Sequence, residues 1–336
     1  MTLRPLLLSL AIAGALAACD RAPSTDAAAT TPAATVGTAD AAAKASQLKQ
    51  IYADYWEALL KLNPVIATFT GDNRYNDQLP DTGSAAYRQQ MQQFTQDWLK
   101  KVEAIGPAGL TGQDLLSYEI FVADAKDTLE SFKFPDWQMP VNQMRSTATL
   151  AVQLGSGTGA QPFKTVKDYD NWLARAGRLP VLIDTEIANM REGMKTGVVM
   201  PRALMEDVIP QLDALIKAKP EESLFWGPIT SMPKEFPEAD RTRLTEAFRK
   251  LILEQINPAY RKQRDFIANE YLPKTRDSVG LDKLPDGAES FDSFNERGVT
   301  TAISDNVLSP YLVPFLALSF ILLAAAVGAI VLARKD

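Results

Sequence analysis

Residues 181–197 read VLIDTEIANMREGMKTG. Ile183, Ile187, Met190 and Met194 recur there at three- and four-residue spacing, which places them on one face of an α-helix. Gly197 follows the last turn, where a residue without Cβ lets a helix close. The same reading extends in both directions. Upstream, residues 166–179 form a helix that stops at Pro180. Downstream, Pro201 opens a helix through Leu204, Val208, Leu212 and Leu215 to Lys219. Residues 224–237 are a proline-rich turn region, and 238–272 a long helical stretch bent at Pro258.

Nearer the N-terminus, Leu48, Ile51, Tyr52, Tyr55, Trp56, Leu59 and Leu60 predict a helix from Ser46 to the stop at Asn63-Pro64. Tyr87, Met91, Phe94, Trp98 and Val102 predict a second over 84–105, closed by Gly106-Pro107. A third begins at Thr111, with Asp114 three residues on in a capping-box-like start, and runs until Pro135. Residues 134–140 read as an ordered loop, 141–154 as a short helix and the glycine-rich 155–159 as a flexible loop. No stretch alternates as a strand does. The predicted fold is therefore all-α, an irregular helical bundle.

Composition narrows the function. Of 336 residues none is histidine and one is cysteine, which excludes Ser-His-Asp and Cys-His nucleophile systems, histidine-bound zinc, imidazole switches and internal disulfides. The formal charge of −6, with no basic stripe, argues against a nucleic-acid partner.

Both ends carry membrane signals. Arg4 precedes an apolar run over 6–18, too short to span a bilayer and shaped like a secretory signal. Leu16-Ala17-Ala18-Cys19 matches a bacterial lipobox, so residues 1–18 are expected to be removed and Cys19 to carry lipid. Asp20 resembles an inner-membrane retention residue. Residues 19–45 are expected to form a disordered lipoprotein linker, being rich in Ala, Thr, Asp, Pro and Ser without an aromatic residue. A junction at 288–307 leads to 308–336, a transmembrane helix and cytoplasmic tail. Its stretch 311–333 has no charge, is about 34 Å long as helix, and is followed by Arg334 and Lys335. The expected location is the bacterial inner membrane with the body, 46–287, facing the periplasm.

Candidate chemistry is sparse. Asp168 with Asp170, and Glu221 with Glu222, are carboxylates adjacent in sequence, read first as helix-start or solvated charges. The loop 71–77, GDNRYND, lacks the order of a calcium loop and reads as a polar surface loop that contributes to a substrate groove in full-length relatives. The glycines of 155–159 lack the Lys-Ser/Thr of a phosphate loop. No catalytic residue, metal ligand or cofactor is expected; Cys19 is the one site residue.

Two resemblances cover different parts. NWLARAGRLP at 171–180, NMREGMKTGVVMP at 189–201, FWGP at 225–228 and YRKQRDFIANEYLP at 260–273 resemble the bacterial domain-of-unknown-function 885 family. LPDG at 284–287 matches the point where that family's next segment begins. The resemblance covers about 46–287 and implies a helical, often exported lipoprotein related in layout to the angiotensin-converting-enzyme group of zinc peptidases. The zinc motif of that family, a His-Glu start followed by Gly-His-His, lies beyond the matched segment, so no ligand carries over. Residues 295–334, from Asn295 through Pro314-Phe315 to Arg334, are similar to the last helix of subunit J of the NADH–quinone oxidoreductase, with Leu316 where that family has an acidic residue. The resemblances imply a truncated peptidase-like half joined at about residue 288 to a foreign tail, by a genuine gene fusion or by a frameshift or assembly artefact. The expected function is that of a membrane-tethered extracytoplasmic domain, catalytically inactive, with membrane lipid and a peptide or protein as partners. The alternatives are a metallopeptidase completed by a partner chain and a subunit-J-like protein of the respiratory complex.

Replacing Cys19 by alanine is expected to abolish palmitate labelling of the mature chain; undiminished labelling would refute lipidation at this position.

Overall fold

The computed structural model describes residues 35–285 and Gly287. The signal peptide 1–18, Cys19, the first part of the linker, the junction 288–307 and the tail 308–336 lie outside the described residues. Among the described residues the fold is all-α: helices carry the architecture, an isolated bridge joins Pro201 to Arg276, and no helix is long and apolar enough to cross a membrane.

Helix α1 is Thr35–Leu62. It begins eleven residues before Ser46, inside the segment expected to be disordered linker. Ala41, Ala42, Ala43 and Ala45 are strong helix formers, and the extension is held by tertiary contact. Lys44 Nζ donates to the Ala108 carbonyl at 3.1 Å, and Ala45 packs on the small core of Leu48, Val102, Leu110 and Tyr118. Asn63 then caps α2, Pro64–Phe69, by accepting from the Ile66 N–H. Ser84 caps α3, Ala85–Ile105, which ends at Gly106 with φ +69°. Helix α4 is Gly112–Ser131. The capping box expected at Thr111 is not formed; Asp114 is drawn instead towards Lys49 of α1, at 3.4 Å. Tyr52, Tyr55, Phe94, Trp98 and Phe121 interlock between α1, α3 and α4 at ring distances of 5.1–6.0 Å.

The larger core belongs to the C-terminal helices. They are α5 (Thr147–Gly155), α6 (Val166–Ala176), α7 (Leu179–Thr196), α8 (Arg202–Leu215), α9 (Glu238–Lys250) and α10 (Asn257–Phe266). Trp172, Tyr169, Phe225, Phe248, Tyr260 and Tyr271 fill it. Of residues 155–159, expected to be flexible, Gly155 is buried and Ser156 and Gly157 half-buried, while Thr158 and Gly159 are exposed. A Cβ on Gly155 would lie 2.0 Å from the Trp172 ring, and one on Gly227 2.2 Å from the Ser156 carbonyl. Glycine is needed there for close approach.

The stretch 238–272 is one helical rod in which α9 and α10 are separated by a π segment, Leu251–Ile256, and followed by another, Ile267–Tyr271. Pro258 cannot donate to the preceding turn, and the ladder before it is widened to π spacing. The expected bend is thus a local change of helical register. Ile252, Ile256, Tyr260, Gln263, Ile267 and Tyr271 remain fully or almost fully buried along the rod.

Arg175 joins the two parts. It is fully buried on α6, and its five N–H donors meet five neutral acceptors. These are the carbonyls of Gln78 (2.9 Å), Tyr75 (2.7 Å) and Pro64 (3.5 Å), Thr68 Oγ1 (2.9 Å) and Gln161 Oε1 (2.8 Å). Burial lowers its pKa to about 10, against the opposing pull of Asp77. The guanidinium therefore clamps α2 and the loop after it onto α6. Arg175→Lys, which cannot reproduce the fork, is expected to cost about 3 kcal/mol in urea unfolding, since buried carbonyls lose their donors. A loss below about 1 kcal/mol would show the clamp to be dispensable.

Candidate functional site

The start of α3, the 131–140 segment, the N-terminal half of α5 and the middle of α7 enclose a groove of about 860 Å³. Phe132, Phe134, Trp137, Met144 and Leu150 give it apolar walls; Asp81, Arg88, Asp136, Arg145 and Glu186 give it charge.

Glu186 forms the floor and is only 8% exposed. Its Oε1 accepts from the Thr147 backbone N–H (2.8 Å) and from Thr147 Oγ1 (2.7 Å), which ties α7 to the first turn of α5. Its Oε2 accepts from Gln263 Nε2 (2.6 Å) on α10. One carboxyl thus holds three helices. Burial, reinforced by the negative charge of Asp81, raises its pKa to about 7, although the bonds from Thr147 and Gln263 pull the other way. Tyr260, fully buried, is pushed up by burial and by the charge of Glu186. Gln263 Oε1 is buried without a hydrogen-bond partner.

Above the floor, Asp81 Oδ2 accepts from Thr185 Oγ1 at 2.7 Å, and Asn189 Nδ2 donates to the Gly83 carbonyl at 2.9 Å. These bonds fix the turn before α3 on α7. Arg88 NH1 donates to the same Gly83 carbonyl, and its guanidinium lies 4.1 Å from the centroid of Trp137. Burial lowers the Arg88 pKa, while Asp136 and Asp81 act at longer range in the other direction. Burial also pushes the Tyr87 hydroxyl, which donates to the Leu62 carbonyl, up to about 12.

The residues singled out from sequence do not converge here. Asp168 completes a capping box with Thr165 at the start of α6. Asp170 pairs with Arg243 (2.6 Å), Glu221 with Arg249 (2.8 Å) and Glu222 with Lys219 (3.6 Å). In the loop 71–77, Asp72 holds Arg74 and Asn76 accepts from Thr68; none of its residues lines the groove. Cys19 lies outside the described residues. Glu186 was missed, although its signal is present: it stands three residues after Ile183 and four before Met190, a carboxyl on the apolar stripe of α7. Arg88 and Trp137 gave no such signal, because they meet only in the folded chain.

The zinc implied by the family resemblance does not fit these residues. The chain has no histidine, and among the described residues no three acidic or thiol side chains converge. Both oxygens of Glu186 are already met by N–H and O–H donors, whose positive ends would oppose a cation.

A family model described as "Bacterial protein of unknown function (DUF885)" matches residues 64–308. The chain belongs to this family. The match begins after α1 and continues beyond Gly287, where the sequence reading ended it. The crystal structure of "the putative lipoprotein from Colwellia psychrerythraea" is similar in fold, with a TM-score of 0.61 at 14% identity. The likeness covers 74% of this chain and 45% of that one, so this DUF885 chain spans less than half of its structural neighbour's length. No curated protein matches it. The comparisons do not connect the tail to an NADH–quinone oxidoreductase subunit.

The Glu186 titration has a definite sign. Its pKa rises from the ordinary 4.5 to about 7 on folding, so the folded state holds the proton more tightly. The Glu186 contribution to stability is fully present below pH 4.5 and is lost as pH rises through about 7. Wild type is therefore expected to lose about 3 kcal/mol relative to Glu186→Gln between those limits in urea titrations. A pH-independent difference would refute the shift.

Proposed function

We propose that this chain is the ligand-recognition part of a peptidase-like, membrane-tethered lipoprotein, facing the periplasm and catalytically inactive on its own. The observation that carries the reading is the groove of about 860 Å³ with aromatic and aliphatic walls and a few placed polar groups. That size and lining suit a small molecule or a few residues of peptide. Membership of DUF885 and a fold shared with the Colwellia psychrerythraea protein support the family side of the reading. The inactivity rests on the residue chemistry: there is no imidazole, and the buried carboxyl is engaged by three donors. Cys19, through lipid, and the 308–333 segment are the proposed attachments to the inner membrane. A second reading, a hydrolase completed by a partner chain, is favoured by the same groove, which lies open for a further domain to cover.

Fluorescent peptides with aliphatic and aromatic residues are expected to bind the purified full-length chain in detergent without being cleaved. Leu150→Trp, which fills the groove, should weaken binding at least about tenfold. Unchanged binding in that variant would remove the groove from the function. Cleavage by the chain alone would overturn the inactivity, and cleavage that appears only with a partner chain would favour the second reading.

A further inference from the structure

We propose that Arg88 is the anchor for a carboxylate of the groove's ligand, so that the ligand class is a peptide presenting a free C-terminus or an acidic side chain. The inference rests on the groove being the ligand site and adds to it a chemical polarity.

Arg88 is half-buried on the groove wall and held in one orientation from two sides. NH1 donates to the Gly83 carbonyl, and the Trp137 ring covers one face of the guanidinium at 4.1 Å. The Gly83 carbonyl is itself fixed by Asn189 Nδ2 from α7. The fork is therefore preorganised, with N–H donors left over beyond the one bond to Gly83. No carboxylate among the described residues pairs with it. Asp81 and Asp136 act on it only at longer range; Asp81 Oδ2 is taken by Thr185, and its Oδ1 is buried without a hydrogen-bond partner and does not reach Arg88. Arg145, exposed in the same groove, also has no acid partner among the described residues, but no ring or backbone carbonyl there holds its guanidinium as Trp137 and Gly83 hold Arg88; several other arginines are completed. Arg175 meets five acceptors, and Arg74, Arg191, Arg202, Arg243, Arg249 and Arg264 each pair with an acid. A planar cation stacked on an aromatic ring, partly out of water and short of an anion, suits bidentate capture of a carboxylate. The neighbouring apolar walls, Phe134, Trp137 and Leu150, then take the side chain next to that carboxylate.

The test uses the full-length chain in detergent and two probes, N-dansyl-Leu-Phe as the free acid and as the carboxamide, followed by dansyl emission. Wild type is expected to bind the acid at least about tenfold more tightly than the amide. Arg88→Gln should bring the two affinities together, Arg88→Lys should keep a reduced preference for the acid, and Arg241→Gln, exposed and outside the groove lining, should keep the full preference; Arg145→Gln tests the other arginine of the groove rim. Equal binding of acid and amide by wild type would overturn the carboxylate anchor while leaving the groove as a binding site. Failure of both probes to bind would overturn the groove reading and the anchor with it. Loss of the preference in Arg145→Gln but not in Arg88→Gln would assign the carboxylate to the rim. The wild-type comparison needs no variant, so a destabilised Arg88→Gln does not shield the proposal.

Discussion

A single buried guanidinium decides how the two halves of this molecule meet. Arg175 sits on α6, in the midst of the larger core, and all its partners except Gln161 come from residues 64–78. A charge out of water is tolerated only when its donors are met. Here they are met without a carboxylate, by backbone carbonyls and two neutral side chains. The loop after α2 consequently cannot take another path without stranding the charge. Gln161 strengthens the constraint by donating to the Asn76 carbonyl at 3.1 Å while accepting from Arg175. Because α3 follows directly from this loop, its position over α7, and with it one wall of the groove, depends on the same clamp.

The groove floor is built on the opposite logic. Glu186 is a buried acid surrounded by donors, and it fastens α5, α7 and α10 at one point. Its attachment to the first turn of α5 also places a negative group at the positive end of that helix. Burial nevertheless outweighs these favourable bonds and raises the carboxyl's pKa to about 7. The walls above it divide the labour: Asp81 and Asn189 fix the turn, and Trp137 and Arg88 face the space.

Periodicity made most of the fold legible. The helices at 84–105 and 181–197 are visible as apolar stripes, and their ends at Gly106 and Gly197 as positive-φ closures. Composition misled at 35–45, because alanine serves a linker and a helix equally, and only contact with Ala108 and the small core decides between them. The two Thr-x-x-Asp segments at 111 and 165 are equivalent as sequence. In the fold they differ: Thr165 and Asp168 close a capping box, whereas Thr111 forms none, Gly112 takes φ +53° and Asp114 stands beside Lys49 of another helix. The site was less legible for the same reason. Glu186 breaks an apolar stripe and was readable in principle, whereas the Arg88–Trp137 contact joins residues 49 positions apart and exists only through packing.

The two π segments of the 238–271 rod bear on how this family can change. A π turn is in effect one residue more than an α turn needs over the same rise. Removing one residue from 251–256 or from 267–271 would relax that turn to ordinary α geometry and leave a continuous helix. Removing one from α10 would instead rotate everything beyond it by about 100°, turning Phe266, Ile267 and Tyr271 away from the core. Insertions and deletions in relatives should therefore collect at these two segments and avoid the ten residues between them, where Gln263 has to keep its place under Glu186.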